Sequence, residues 1–575
     1  MSVLAHIDKN VIENVMSSME FKAFLLSRRW FGDKFLLSNL EFEISLDYFN
    51  VISERIYLTI IKISKPDYEK RYFLPLIYYK NLNNILNPSE QNNKNIIKLT
   101  KNSYSKKIAL TIGKEPKILT LNLIEAEYCL YFWKNLLFEK DISEKFPELN
   151  LKLALYTEQF QDEINMRKAQ ALIEASIYKD RYQAELQQLG KGNTTNLLFK
   201  LTLINKRKKQ SKPFNYVLKS YKDYHESLEP TTLQVLNKNQ FFNAPKIYGT
   251  IKINNKESVG ILEYISNEGN VGDIYWNELN DMIKNTFSNL NADFSNLEDK
   301  KELSRIIKQF CVESLQISEE IGSYITNLHN ALLLPEQEEY SLETIESDFY
   351  LKNYTHKLNF MISDLQHLMQ QESKKIFYNL TKIQAVFLDA KDVLEKFRSD
   401  FEKEKIEIQP VHQDLHMEQI LYNKKDNKFN FYFMDFEGDP ELSAEEKKQR
   451  FPTEKDIASY LRSLSYIKFN TILLFIEKYV IEKDEYIVPE EILYSLYFRK
   501  GFREKRKGLD ILLTFLNKWE QKLMNKILKN LKTNITLINY FTIERVLHEI
   551  YYEILFRPKK FLVPLLGLKE VIDNN

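Results

Sequence analysis

The apolar periodicity of this chain changes about halfway along it, and that change constrains the fold more than any other feature. From about residue 273 onward the pattern is mostly helical. Phe310, Ile317, Ile321, Tyr324 and Leu328, spaced by seven, four, three and four, share one helical face. The helical tract is interrupted once, over residues 408–440. Upstream the signals are those of strands. Phe42, Ile44 and Leu46 alternate with Glu43 and Ser45, and residues 56–63 and 72–79 are rich in β-branched and aromatic side chains. They predict a small N-terminal sheet. Residues 151–188 are mixed and helix-permissive. After Gly190 the expected order is a strand over 197–204, a basic turn over 205–213 and a strand over 214–221 that carries Lys219. A helix over 230–237 and strands over 245–253 and 258–265 follow. Such a chain is α+β, with its sheets first and its helices after.

Composition narrows the function classes. The 575 residues carry 81 Lys and Arg against 80 Asp and Glu, a net charge of +1, which leaves no global basic footprint for nucleic acid or anionic lipid. The two cysteines, Cys129 and Cys311, lie far apart and build neither a disulfide framework nor a zinc site. Residues 1–9 lack the pattern of a signal peptide, and no window approaches 18 uninterrupted apolar residues. The expectation is a soluble, cytoplasmic protein without nucleic-acid or membrane partners.

The interruption holds the chemistry. It reads Val411-His412-Gln413-Asp414-Leu415-His416-Met417-Glu418-Gln419, then, after a hairpin-like turn over 423–428, Phe429-Asn430-Phe431-Tyr432-Phe433-Met434-Asp435-Phe436-Glu437-Gly438. One carboxylate, Asp414, sits in a polar loop, and a second, Asp435, ends an apolar strand twenty-one residues later. Phosphoryl transfer needs such a pair: one carboxylate to orient the attacking hydroxyl and accept its proton, another on a rigid strand end to hold Mg²⁺. An amide-bearing residue after the first, here Gln419, supplies a further metal ligand, and a strand lysine, here Lys219, reaches the phosphates. Taken singly, each motif also reads as a turn or a buried hydrogen-bonding pair. His412, Asp414 and His416 are an alternative metal set, which leaves the strand-end carboxylate unexplained.

The run from His412 to Gln419, and Asp435-Phe436-Glu437-Gly438-Asp439-Pro440, resemble the catalytic and metal loops of the aminoglycoside-phosphotransferase-like kinases. Within that group they are most similar to the maltokinases, which carry Gln where other members carry Asn. The stretch from Lys455 to Tyr466 is similar to the maltokinase segment after the metal loop, and Arg28-Arg29-Trp30-Phe31-Gly32-Asp33-Lys34 resembles the maltokinase N-terminal signature. The resemblance implies a bilobal, protein-kinase-like fold with a cap subdomain over residues 1–110, a nucleotide-binding lobe over 111–265 and a mostly helical lobe over 266–575. It implies ATP-dependent phosphorylation of the anomeric hydroxyl of maltose to maltose 1-phosphate, which feeds α-glucan and trehalose metabolism. A trehalose-synthase-like or maltosyltransferase-like partner belongs to the same picture.

In that picture Asp414 is the catalytic base, and Asp435 and Gln419 hold Mg²⁺ with Glu437 nearby. Lys219 neutralises phosphate charge. Asn193, Thr194 and Thr195 form the phosphate loop, and Glu263 and Tyr264 the hinge that meets adenine. His416, Glu418 and Arg462 are the substrate-facing candidates. Three departures stand out, the first being the loop over the phosphates, Gly190 to Asn196, which is less Gly-rich than a protein-kinase loop. Gln413 replaces the usual Gly beside the base. The partner of Lys219 is open among Glu226, Glu229 and Gln234. No G-x-x-x-x-G-K-[ST] sequence exists, so a P-loop NTPase is unsupported. A kinase for an amino-sugar or choline-like alcohol, and a catalytically weak nucleotide-binding protein, are the alternatives.

Overall fold

The computed structural model describes residues 7–34, 37–53, 55–66, 68–81, 103–112, 115–138, 150–156, 160, 162–178, 181–190, 195–207, 212–287, 300–371, 379–401, 404–440, 442–481, 487–499, 507–557 and 560–575. They form two compact units, one of residues 1–238 with 245–265 and one of residues 239–244 with 266–575.

The first unit holds two antiparallel sheets. Helices α1 (Lys9–Met16) and α2 (Met19–Leu26) precede the first sheet, which contains β1 (Glu43–Ser53), β2 (Ile56–Lys65), β3 (Tyr68–Phe73), β4 (Leu76–Tyr78), β5 (Ser103–Ile112) and β6 (Glu115–Glu125). Its order is β1-β2-β4-β6-β5, with β3 also pairing β2. Phe42, Ile44 and Leu46 are buried and Glu43 is exposed, as the alternation requires. Position 110 falls inside β5, so this sheet runs past it to Glu125. Helix α3 (Leu130–Leu137) leads to the second sheet.

The second sheet has β7 (Leu151–Leu155), β8 (Tyr182–Gln188), β9 (Leu197–Asn205), β10 (Phe214–Ser220), β11 (Ile247–Ile253) and β12 (Lys256–Glu263), in the order β7-β11-β12-β10-β9-β8. Helix α4 (Glu163–Ile177) lies between β7 and β8, and α5 (Glu229–Lys238) follows β10. The helix-permissive region thus contains a helix flanked by two edge strands. β8 alternates, but Gln and Glu fill its outward positions and weaken the strand signal.

The second unit is helical around a small hairpin. After β13 (Gly269–Asn270) come α6 (Val271–Phe287), α7 (Lys300–Phe310), α8 (Val312–Ala331), β14 (Glu343–Glu346), α9 (Ser347–Gln371), α10 (Leu380–Asp400) and β15 (Lys405–Ile408). Then follow β16 (Ile420–Lys425), β17 (Lys428–Phe433), α11 (Ala444–Lys447), α12 (Glu454–Tyr479), α13 (Pro489–Phe498), α14 (Lys507–Leu528), α15 (Ile535–Phe556) and α16 (Leu562–Asp573). Phe310 belongs to α7, not to the helix of Ile317, Ile321 and Leu328, because the chain turns at Cys311 (φ −105°, ψ 51°) before α8 begins. The β16–β17 hairpin turns on Asp426 and Asn427, both at positive φ (51° and 60°), the backbone that a tight two-residue turn demands. Helix α12 is buried on nearly every side from Lys455 to Ile476, as befits the central helix of a bundle. Among the described residues no helix is long and apolar enough to cross a membrane.

Candidate active site

Two loops of the second unit carry the carboxylates, and a third element pins them. The loop that holds Asp414 leads into β16, and Asp435 stands two residues past the end of β17. Asp456, in the first turn of α12, is fully buried. It accepts the backbone N–H of His412 at 2.8 Å, that of Gln413 at 2.7 Å and a ring nitrogen hydrogen bond from His329 at 2.9 Å. Burial works against ionisation there. The hydrogen bond and charge of His329, with help from His412, outweigh it and hold the Asp456 carboxyl below the usual carboxylate range. A buried carboxylate with three donors fixes a loop far better than apolar packing does, because any shift leaves a charge unsolvated.

The two loops are also stitched to one another. The His412 ring meets the Met434 carbonyl at 2.8 Å and packs on Phe436. The Met434 N–H donates to the Gln419 carbonyl at 2.9 Å, and Gln419 Nε2 donates to Asp435 Oδ2 at 2.9 Å. The Ser463 hydroxyl on α12 accepts the Met417 N–H at 3.2 Å.

Gln413 and Asp435 share an uncommon backbone state, with φ of 71° and 66°. Each costs about 1–3 kcal/mol and persists only where the surroundings enforce it. At Gln413 the enforcement is visible. Its side chain is buried, its Nε2 donates to the Lys447 carbonyl at 2.6 Å, and its Oε1 accepts the Asp439 N–H at 3.4 Å. The residue that replaces glycine therefore ties the Asp414 loop to the far end of the Asp435 loop. Gly438 (φ 77°) gives it room, since a Cβ there would lie 2.9 Å from Gln413 Oε1.

Asp414 has a partner that the sequence did not reveal. Arg545, on α15, donates to Asp414 Oδ1 at 2.6 Å and contacts Glu549 at 3.5 Å. Burial alone would lower the Arg545 pKa, but Asp414, Glu549 and Asp439 raise it. His416 Nε2 lies 3.8 Å from Asp414 Oδ2, and Glu418 on the same loop is exposed. Arg462 does not join them. It is buried, and its guanidinium is held by Glu549 (2.8 Å) and Ser465 (2.7 Å), which makes it a support for Glu549 rather than a surface for ligand. No group of three or more His, Cys, Asp or Glu that could hold a metal occurs among the described residues, and His412 Nε2 is taken up by the Met434 carbonyl.

In the first unit Lys219 sits on the central strand β10, opposite Gly260 of β12 and Leu198 of β9. Its partner is Glu229, at the start of α5: Nζ to Oε2 is 2.8 Å, and both side chains are almost wholly buried. The Tyr221 hydroxyl donates to the same Glu229 oxygen at 2.8 Å. Glu263 ends β12 and bonds Lys168 Nζ at 2.6 Å, while Lys200 Nζ lies 4.0 Å above the Tyr264 ring. Thr195 is exposed; Asn193 and Thr194 lie outside the described residues.

The oxygen donors of Gln419 and Asp435 suit a hard cation. Mg²⁺ takes few protein ligands and completes its octahedron with phosphates and water, so the Asp435 carboxylate with the Gln419 amide beside it is an adequate protein contribution once the amide, whose Nε2 here faces Asp435 Oδ2, turns its oxygen to the ion.

No protein-family model matches the chain, and no curated protein does. Among solved structures, a glucosamine kinase in complex with glucosamine, ADP and inorganic phosphate aligns over 92% of this chain and 95% of its own, at 11% identity and a TM-score of 0.49. Another glucosamine kinase crystal form covers 92% of this chain and 91% of its own, at 12% identity and a TM-score of 0.45. A Plasmodium vivax ethanolamine kinase covers 73% of this chain and 95% of its own, at 15% identity and a TM-score of 0.26. None of these similarities fixes the activity of this chain.

Proposed function

We propose that this protein is an ATP-dependent, Mg²⁺-requiring kinase that phosphorylates a hydroxyl of a small sugar, with maltose and its anomeric hydroxyl as the acceptor. The observation that carries the reading is the stitching of the two carboxylate loops through His412–Met434, Met434–Gln419 and Gln419–Asp435, with Asp456 beneath. This arrangement keeps one carboxylate for the acceptor and a carboxylate–amide pair for the metal.

In the reaction a bond forms between the acceptor oxygen and the γ-phosphorus, and the bond from that phosphorus to the β–γ bridging oxygen breaks. ADP leaves, and the hydroxyl proton passes to Asp414. Arg545 holds Asp414 by Oδ1, which fixes the angle at which the carboxylate meets the hydroxyl. Asp435 and Gln419 would hold the Mg²⁺, with Glu437 beside them; the ion supplies charge neutralisation on the phosphates. Lys219, oriented by Glu229, acts on the nucleotide phosphates as a compact cation. Thr195, with Asn193 and Thr194, is assigned to the phosphate loop, Glu263 and Tyr264 to the adenine hinge, and His416 and Glu418 to the acceptor.

A coupled assay of ADP release over a panel of maltose, glucose, glucosamine and choline tests the reading. Turnover on maltose alone is the expected result. Turnover only on the amine-bearing alcohols would reassign the acceptor, and nucleotide binding without turnover on any would remove the kinase activity.

A further inference from the structure

Outside the site already described, a fully buried group of charges lies in the first unit, three residues beyond Lys219. Lys222, Glu125 and Glu127 have no exposed surface. Lys222 Nζ lies 2.6 Å from Glu127 Oε1, 3.9 Å from Glu125 and 4.5 Å above the Trp30 ring. Glu125 accepts the Trp30 indole N–H at 2.6 Å and faces Arg28 at 3.5 Å. Glu127 also accepts the Ser220 hydroxyl at 3.1 Å, and Ser220 directly follows Lys219.

The backbone of Lys222 is equally committed. Its N–H donates to Asn196 Oδ1 at 3.1 Å, and its carbonyl accepts the Phe73 N–H at 2.8 Å. Three things therefore meet at one residue. The first is the first sheet and its Trp30 signature, through Phe73, Glu125 and Glu127. The second is the end of the phosphate-loop segment, through Asn196. The third is the lysine strand β10, through Ser220, which reaches Lys222 by way of Glu127.

We propose that Lys222 is a positioning residue through which the N-terminal sheet sets the phosphate-binding geometry of β10 and of Asn196, just before β9; this rests on the phosphotransferase reading. An apolar core would hold the two sheets together as well. An ammonium between two fully buried carboxylates adds direction to that contact, because a displacement weakens charge pairs that bulk solvent does not reach. The arrangement gives the Arg28–Lys34 segment a role, since Trp30 and Arg28 complete the shell of Glu125. It also explains why Glu125 stands where burial pushes its pKa up while Lys222 pulls it back.

The test uses the full chain and two readouts, the affinity for Mg–ATP analogue by calorimetry and amide hydrogen exchange over residues 195–222. Three variants are compared: Lys222→Met, the double variant Lys222→Met/Glu127→Gln, which leaves no unpaired charge at Glu127, and Trp30→Phe, which keeps the ring and loses the donor. The double variant keeps its fold by circular dichroism, exchanges faster at the amides of Lys219–Lys222, and binds the nucleotide about tenfold more weakly, while the acceptor KM stays within about twofold of wild type. Trp30→Phe moves both readouts in the same direction by a smaller factor. A folded double variant with wild-type nucleotide affinity, or one in which acceptor and nucleotide KM rise together, overturns the proposal. Wild-type protein that binds no nucleotide overturns the phosphotransferase reading, and the exchange readout then still decides whether Lys222 orders β10.

Discussion

Asp414 has one oxygen committed to Arg545 and the other turned toward His416. A carboxylate tethered in this way accepts a proton without moving, which is what a base must do for in-line attack. Asp414→Asn keeps the tether and removes the proposed base, so we expect turnover to fall by about 10²–10⁴-fold while nucleotide affinity stays at the wild-type value. Arg545→Lys keeps the charge but loses the fork geometry; we expect kcat to drop about tenfold with little change in the KM for ATP. Steady-state kinetics against both substrates checks each. Asp414, Gln419 and Asp435 were open to proposal from the sequence because they lie close together in a short segment whose residue types fit one chemistry. Arg545 was not, since it lies 131 positions from Asp414 on a helix whose local sequence says nothing of a distant carboxylate. Glu229 was only one of three candidates, because helix phase alone does not tell which acidic residue near a helix start turns toward the strand.

Helix α12 organises the site at the next scale. Its first turn supplies Asp456 to the Asp414 loop and Lys455 to Glu544, and Lys455 also lies 4.0 Å from Asp439. Asp439 in turn faces His548 of α15 at 3.3 Å. Burial lowers the pKa of His548 and the Asp439 charge raises it, with a net rise; the same pairing takes Asp439 far below the carboxylate range against the effect of burial. The signs then set the pH dependence. His548 contributes stability that is fully present below about pH 6.5 and is lost as pH rises through its raised native pKa, whereas the Asp439 contribution is present above about pH 4 and is lost progressively as pH falls below that. The stability difference between wild type and His548→Gln, measured by urea unfolding, is therefore larger at pH 6 than at pH 9. A difference that is flat with pH removes the ion pair from the account. Gly438→Ala is a second element-scale test. A Cβ at φ 77° meets Gln413 Oε1, so we expect a loss of about 1–3 kcal/mol and a lower Tm. Strands β9 to β12 and the β16–β17 hairpin could be read from alternation and turn residues. β5, β6, β7 and β8 escaped because polar residues interrupt their alternation or because they border long polar stretches.

At the scale of the whole molecule, sheets precede helices, and each unit carries part of the chemistry that the proposed reaction needs. Lys219 with Glu229 belongs to the first unit, and Asp414, Gln419 and Asp435 belong to the second. The change of periodicity near residue 273 announced that division, because a helical bundle and an antiparallel sheet demand different apolar spacing. What the sequence withheld was the buried charge of the first unit. Glu125, Glu127 and Lys222 sit in apolar surroundings that composition does not distinguish from surface polarity. The most direct measurement is calorimetric titration of a non-hydrolysable ATP analogue with and without Mg²⁺, on wild type, Asp414→Asn and Asp435→Ala. The account predicts that Mg²⁺ tightens binding in wild type and Asp414→Asn and has no effect in Asp435→Ala; a full Mg²⁺ response in Asp435→Ala would contradict it.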